Sequence, residues 1–152
     1  MNGSMPVSDE VDALGLAGGL LYFLRILDQQ VRLSRREDGL SLAEISVLGA
    51  VAAGHDTPSS VARALRLDPA RITHISDRLV SLGYLRREID QVDRRRWRMS
   101  LTSAGETRAH EGRSDVDCAM RRLLVGLTQS EVDGMINALE GIQRVVGDQE
   151  RS

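Results

Sequence analysis

The sequence predicts a mainly α-helical fold of about six helices with one small β-hairpin. Three observations predict it. Aromatic residues make up only 3% of the 152-residue chain, namely Tyr22, Phe23, Tyr84 and Trp97. Leu, Val, Ile and Ala must therefore fill the core, which favours helices over a β-sandwich. Helix-start signals recur along the chain behind an N-terminal amphipathic run. A period of two, the mark of a strand, is confined to the segment around residue 99.

Residues 1–10 read as a disordered or tag-like N-terminus. The first helix, about residues 11–37, carries one row of Leu16, Leu20, Phe23 and Leu27 and another of Leu14, Leu21 and Leu24. A helix apolar on more than one side must be buried on several faces, and an oligomer interface supplies the extra cover. Ser41 and Glu44 form a capping box ahead of Ile45, Val47, Leu48 and Val51. Thr57-Pro58 places an N-cap before a first-turn proline, and Val61, Ala62 and Leu65 follow at helical spacing. Asp68-Pro69 repeats the device. Ser103 and Glu106 are expected to form a further box, opening a helix from Thr102 to about Leu127 with Val116, Ala119, Met120, Leu123 and Leu127 on one stripe. Thr128 and Glu131 form a last box before Val132, Met135, Ile136 and Leu139.

Trp97, Met99 and Leu101 alternate with Arg96, Arg98 and Ser100, and Tyr84–Ile89 is the expected partner strand. The polar segment from Asp90 to Arg95 forms the hairpin tip. The long helices at the two ends, 11–37 and 106–148, read as dimerisation helices around a central module, 41–105, all within one integrated domain.

Charge is segregated along the chain. Net charge is −2, yet residues 1–56 hold four Arg and eight acids, residues 57–108 eleven Arg and six acids, and residues 109–152 five Arg and eight acids. A basic middle third between acidic flanks is the footprint of a local polyanion site. Every basic residue is Arg, including those in the acidic flanks. That pattern fits the codon bias of a GC-rich genome better than a functional choice.

The two short helices 58–66 and 69–82, joined at Leu67-Asp68, form a helix-turn-helix pattern. With the hairpin, the module is a winged helix-turn-helix. At about 100° per residue, Ile72, Ile75, Leu79 and Leu82 of the second helix face the core. Ala70, Thr73, His74 and Asp77 fall opposite, with Arg71 and Arg78 on the flanks. A helix laid in the major groove needs such a small, polar and basic outer face. Its free N–H groups are expected to favour a phosphate. Ser59 and Ser60, at the start of the preceding helix, and Arg63 and Arg66 are candidates for further phosphate contacts.

Six arginines, Arg86, Arg87, Arg94, Arg95, Arg96 and Arg98, crowd into 13 residues of the hairpin. A projecting tip with Arg suits the narrow minor groove, where the negative potential is enhanced. Arg95 is the prime candidate, and Asp93 is placed to hold it extended. Arg94 and Arg96 are candidates for the adjoining phosphates.

Other function classes find little support. The apolar stretch Ala13–Leu24 is too short to span a bilayer, and Asp9, Glu10 and Asp12 precede it where a signal peptide carries positive charge. A single cysteine, Cys118, excludes an internal disulfide and a cysteine-based zinc site, and fits a reducing compartment. The sequence contains no G-x-S-x-G, H-E-x-x-H or P-loop motif, so an enzyme is not expected, nor a cofactor or metal. A winged-helix protein-interaction module without DNA binding is the alternative to a DNA reader. Such a module would not need the Arg-rich tip, and would present exposed aromatics instead.

Residues 72–85, Ile-Thr-His-Ile-Ser-Asp-Arg-Leu-Val-Ser-Leu-Gly-Tyr-Leu, resemble the recognition helix and exit of the MarR family of bacterial transcription regulators. Asp90–Gly105 resembles that family's wing and next helix start, with Asp93-x-Arg95 and Leu-Thr-x-x-Gly at 101–105. The likeness follows the helix order over residues 10–147 and is specific over 57–105. It implies a homodimer on a pseudo-palindromic operator, in the bacterial cytoplasm at the nucleoid. It also implies a repressor relieved by a small aromatic or phenolic effector, or by thiol oxidation. Family thiol sensors carry the cysteine in the first helix, where this chain has none. Family ligand pockets lie where the dimer helices meet the winged domain, which makes Tyr22, Phe23 and Arg25 candidates for an aromatic carboxylate.

Overall fold

A computed structural model describes residues 13–34, 37–89 and 97–149. Its elements run α1 (Ala13–Arg32), α2 (Leu42–Ala52), α3 (Pro58–Leu65), α4 (Pro69–Ser81), β1 (Leu85–Ile89), β2 (Trp97–Leu101), α5 (Ser103–Leu124) and α6 (Gln129–Gln149). Residues 1–10 and the hairpin tip with Asp93, Arg94, Arg95 and Arg96 lie outside the described residues. The chain divides into two units, one ending at Ala119 and one beginning at Met120. Among the described residues, no helix is long and apolar enough to cross a membrane.

The first unit is built on local signals. Ser41 caps α2, and its amide donates to the Glu44 carboxylate at 2.7 Å while its Oγ accepts from the Glu44 amide. Asp28 reaches over from α1 and accepts from the Leu42 amide at 2.7 Å, so the start of α2 is held from two sides. Thr57 caps α3, with Pro58 in its first turn, and Asp68 caps α4 ahead of Pro69. Between α3 and α4 the chain turns through Arg66, whose φ of 52° is left-handed. Gly83, at φ 77°, turns the chain out of α4 towards β1. Glycine takes that conformation at no steric cost.

The core collects Leu27 and Val31 of α1, Ile45, Val47, Leu48 and Val51 of α2, Val61 of α3, Ile72, Ile75 and Leu79 of α4, and Leu85 and Met99 of the hairpin. Strands β1 and β2 pair antiparallel, with Leu85 opposite Leu101 and Ile89 opposite Trp97. The expected alternation is seen in β2 at Arg98, exposed, and Met99, buried, while Trp97, Ser100 and Leu101 are all half-buried. Beyond the hairpin pairing, the Met99 amide donates to the Asp56 carbonyl at 2.6 Å, tying β2 to the loop before α3.

Three expectations need correction. Leu82 is 39% exposed, because α4 ends at Ser81 and Leu82 is its C-cap. Tyr84 precedes β1, since the pairing begins at Leu85. The cap of α5 is Thr102 and not a Ser103–Glu106 box. The Thr102 Oγ1 accepts from the Gly105 amide at 3.0 Å, and its carbonyl accepts from the Glu106 amide.

In α5 the face buried up to Ala119 is Gly105, Arg108, Gly112 and Ala119. Gly105 is compulsory here: a Cβ would lie 1.9 Å from the Tyr84 carbonyl oxygen. In the second unit, the Thr128 amide and hydroxyl both donate to Glu131 at 2.7 and 2.8 Å, which is the capping box read from the sequence.

Candidate nucleic-acid interface

The outer face of α4 is exposed at Ala70, Arg71, Thr73, His74 and Asp77, while Ile72, Ile75 and Leu79 are buried beneath it. This split follows from helical periodicity alone. The Thr73 hydroxyl donates to the Pro69 carbonyl at 3.1 Å. The Ser76 hydroxyl, on the inner face, donates to the Ile72 carbonyl and to the Met99 sulfur, so β2 sits against the underside of the helix.

The N-terminus of α4 differs from the expected phosphate site. The Asp68 carboxylate accepts from the Ala70 amide at 2.7 Å, and Pro69 has no N–H to offer. A carboxylate on the helix end repels a second anion there. At the start of α3, the Ser60 hydroxyl donates to the Thr57 carbonyl at 2.9 Å and accepts from the Thr57 amide, so it is committed within the capping box. Ser59 is exposed, with its hydroxyl 3.3 Å from that of Thr57. Arg63 and Arg66 are exposed on α3 and its cap.

Arg78 points back into the protein. Its NH1 pairs with the Glu44 carboxylate, and its NH2 donates to the Asp38 carbonyl at 3.0 Å. Burial pushes the Glu44 carboxyl up, but Arg78 and the Ser41 amide and hydroxyl outweigh it and hold the group below its ordinary value. The described wing arginines are likewise engaged. Arg87 pairs with Asp77 of α4 and lies over the Trp97 ring. Arg98 pairs with Asp56 at 2.5 Å, and Arg86 donates to Ser100 at 3.0 Å. The Arg87–Asp77 and Arg98–Asp56 pairs tie the stem of the wing to α4 and to the loop before α3, while Arg86–Ser100 bridges the two strands.

Sequence reasoning missed a buried cluster beside this interface. The Arg108 side chain is 5% exposed and forks onto Asp38, while its NH1 donates to Asp115 at 3.1 Å. The Tyr84 hydroxyl donates to the same Asp38 carboxylate at 2.8 Å. A signal was present: at helical spacing Arg108 shares the inward face of Gly105, Gly112 and Ala119.

Two of the cavities among the described residues open in the first unit. One, of about 580 Å³, is lined by Ile45 and Gly49 of α2, Leu101, and His110, Arg113 and Val116 of α5. The other, of about 490 Å³, is lined by Leu24, Asp28 and Arg32 of α1 with Ser46, Leu67 and Arg71. Tyr22, Phe23 and Arg25 line neither of them. Tyr22 and Arg25 are exposed on α1, and Phe23 is half-buried. Cys118 is exposed on α5.

Comparison with known proteins matches this architecture. No curated protein matches the chain by sequence. Among solved structures, the reduced form of MarR from E. coli superposes with a TM-score of 0.70 at 23% identity, covering 82% of this chain and 94% of that one. FabT from Streptococcus pneumoniae, solved in complex with DNA, gives 0.65 at 23% identity, covering 89% and 94%. Bordetella bronchiseptica BpsR, whose DNA binding is regulated by 6-hydroxynicotinic acid, gives 0.70 at 22% identity, covering 93% and 98%. Residues 38–96, from Asp38 through the helix-turn-helix to the wing, match the model of the MarR family. That segment is similar to the MarR family, and the described chain has the winged helix-turn-helix fold of the solved MarR structures.

Proposed function

We propose that the chain is a sequence-specific double-stranded-DNA-binding transcription regulator, a repressor that acts as a homodimer on a pseudo-palindromic operator and is relieved by a small aromatic or phenolic effector. The carrying observation is the exposed face of α4, small and polar at Ala70, Thr73 and His74 and basic at Arg71, over a buried Ile72–Ile75–Leu79 row. Those outer residues read base edges or the flanking backbone. Ser59 and Arg63 contact phosphate. Ser60 and Arg78, each bonded within the chain, position the helices that carry these contacts. At the wing tip Arg95 enters the minor groove, held extended by Asp93, with Arg94 and Arg96 on phosphates. FabT, solved in complex with DNA, supports DNA as the partner.

The homodimer reading rests on apolar side chains left exposed on the terminal helices, among them Leu14, Leu21 and Leu24 of α1 and Ile136, Leu139 and Ile142 of α6. A dimer would hold two copies of α4 about 34–36 Å apart, one helical turn of DNA. The effector reading rests on the cavity between α2 and α5, where His110 and Arg113 join Ile45 and Val116. That lining suits a small ring bearing a carboxylate. The regulation of BpsR by 6-hydroxynicotinic acid supports the class. Tyr22, Phe23 and Arg25 are the candidate effector contacts on α1. Such a protein works in the bacterial cytoplasm at the nucleoid and is not an enzyme.

Selection from a pool of random 30-base-pair duplexes, at about 0.15 M salt, tests the reading. A recovered motif with two-fold symmetry is expected, with affinity falling steeply as salt rises. Thr73→Ala and His74→Ala should alter the motif, and Arg95→Ala should cost about 1–3 kcal/mol. Binding to no duplex at any salt would favour the protein-interaction module instead.

A further inference from the structure

We propose that Asp38 and Arg108 are positioning residues for the reading helix, forming a buried polar relay that sets α4 against α5. This rests on the DNA-binding reading of α4 given above. Asp38 lies in the connection between α1 and α2, and three elements converge on it. From α5, Arg108 donates through Nε at 2.6 Å and through NH2 at 3.3 Å. From the approach to the wing, the Tyr84 hydroxyl donates at 2.8 Å. From α4, Arg78 donates to the Asp38 carbonyl at 3.0 Å while pairing with Glu44 of α2. Asp115 takes the remaining side of the Arg108 fork at 3.1 Å.

Stability alone does not account for such a cluster. Apolar side chains of similar volume fill buried space as well or better, because burying charges costs desolvation. A guanidinium fork differs from an apolar contact in being directional: it accepts one plane and one spacing. Apolar packing alone leaves two helices free to slide and rotate by small amounts. Here α5 also approaches closely. At Gly112 a Cβ would meet Ile45 at 2.8 Å and Arg108 NH1 at 3.3 Å. The fork lies in that contact and fixes the azimuth of α5 relative to Asp38, and the Asp38 backbone passes the constraint on to Arg78. The azimuth of α4 decides whether Thr73 and His74 reach base edges. It matters far less for phosphate attraction, which depends on charge and distance. Disturbing the relay should therefore degrade discrimination between sequences while leaving general affinity for DNA in place.

The test uses the full chain, a duplex selected by the wild type from the random pool, and a scrambled duplex of the same composition. Asp38→Asn keeps the shape and removes the charge that faces Arg108. Arg108→Lys keeps the charge and removes the fork. The two variants thus separate geometry from net charge. Each is expected to lose about tenfold in affinity for the selected duplex, with scrambled-duplex affinity within about twofold of wild type. The double variant should lose no more than the worse single one, because both break one link. Should either fail to fold, Tyr84→Phe and Asp115→Asn remove one partner each and should lower the same ratio by a smaller factor. Variants that melt above the assay temperature with an unchanged ratio, or with equal losses on both duplexes, overturn the relay. A wild type that binds neither duplex overturns the DNA-binding reading and the relay with it, whereas a discriminating wild type with indifferent variants overturns the relay alone.

Discussion

The Arg87 guanidinium lies 4.0 Å from the centroid of the Trp97 ring and at the same time pairs with Asp77 of α4. One side chain of β1 thus joins the neighbouring strand to α4. The ion pair is half exposed and screened, worth about 0.2–1 kcal/mol, and the cation–π contact adds about 0.5–1 kcal/mol. Trp97 is the only tryptophan in the chain, so its emission reports on this contact without ambiguity. Arg87→Ala should shift the emission and destabilise the protein by about 1 kcal/mol, a fall of about 2–4 °C in Tm. Emission identical to wild type would mean that the ring is not covered by Arg87 in solution.

Two glycines should respond to alanine in opposite directions. At Gly105 the new Cβ would fall 1.9 Å from the Tyr84 carbonyl oxygen, a backbone atom that cannot swing aside. The first turn of α5 and the entrance to β1 would have to separate, at more than the about 1–3 kcal/mol of ordinary overpacking. At Gly49, inside α2, nothing lies within 4 Å of the new atom. There Gly49→Ala should stabilise by about 0.5–1 kcal/mol through helix propensity. Urea unfolding of the two variants beside wild type checks both signs.

The buried cluster gives stability a pH dependence of known sign. Burial pushes the Asp38 carboxyl up, but Arg108, Tyr84 and the Leu40 amide outweigh it and leave the group below its ordinary 3.8. Glu44 stands below its ordinary 4.5 for the reasons given above. Both carboxyls bind protons less readily when folded than when unfolded. Their contribution is complete above those ordinary values and is lost as pH falls through the lower folded ones. Tyr84 has the opposite sign. Burial and the Asp38 carboxylate raise its phenol, so its contribution is intact below pH 10 and is lost as pH rises through the folded value. Asp38→Asn should flatten the acid limb of Tm against pH, and Tyr84→Phe the alkaline limb. An unchanged acid limb in Asp38→Asn would remove Asp38 from the account.

What the sequence discloses and what it hides divide along the range of the interactions. The caps at Ser41, Thr57, Asp68 and Thr128 act within three residues, and each is visible as a short motif. The split of α4 into an Ile72–Ile75–Leu79 face and a Thr73–His74 face is visible for the same reason. At Thr102-Ser103 two adjacent residues can both cap. The choice falls to Thr102, whose hydroxyl also donates to the Gly83 carbonyl at 2.6 Å, a contact that local spacing does not reveal. Arg78 reads as a DNA contact from its place on the flank of α4, yet its partners Glu44 and Asp38 are 34 and 40 residues away. Arg108 is the extreme case, an arginine on a charged helix whose burial depends on an acid 70 residues distant.

The apolar rows on the terminal helices lead to a prediction about assembly. In α1, Leu27 and Val31 are buried, while Leu14, Leu16, Leu20, Leu21 and Leu24 are all at least 45% exposed. In α6, Ile136, Leu139 and Ile142 are exposed along one stripe. Each leucine that a second copy covers is worth about 1.5–3 kcal/mol at full burial. A glutamate in the same place costs a few tenths of a kcal/mol on a solvated helix surface, but much more inside an interface, where its charge loses water and gains no partner. Leu21→Glu and Ile142→Glu are therefore expected to leave helicity and urea unfolding of the isolated chain nearly unchanged. They should weaken dimerisation by about 100-fold or more, the change that about 3 kcal/mol makes. Sedimentation velocity at micromolar concentration reads this as a move from two copies to one. Since a lone chain grips one half-site, affinity for a two-fold symmetric duplex should fall in step with the loss of dimer. A glutamate variant that remains dimeric would exclude the substituted row from the interface, and a wild type already monomeric at that concentration would remove the dimer from the proposed mechanism.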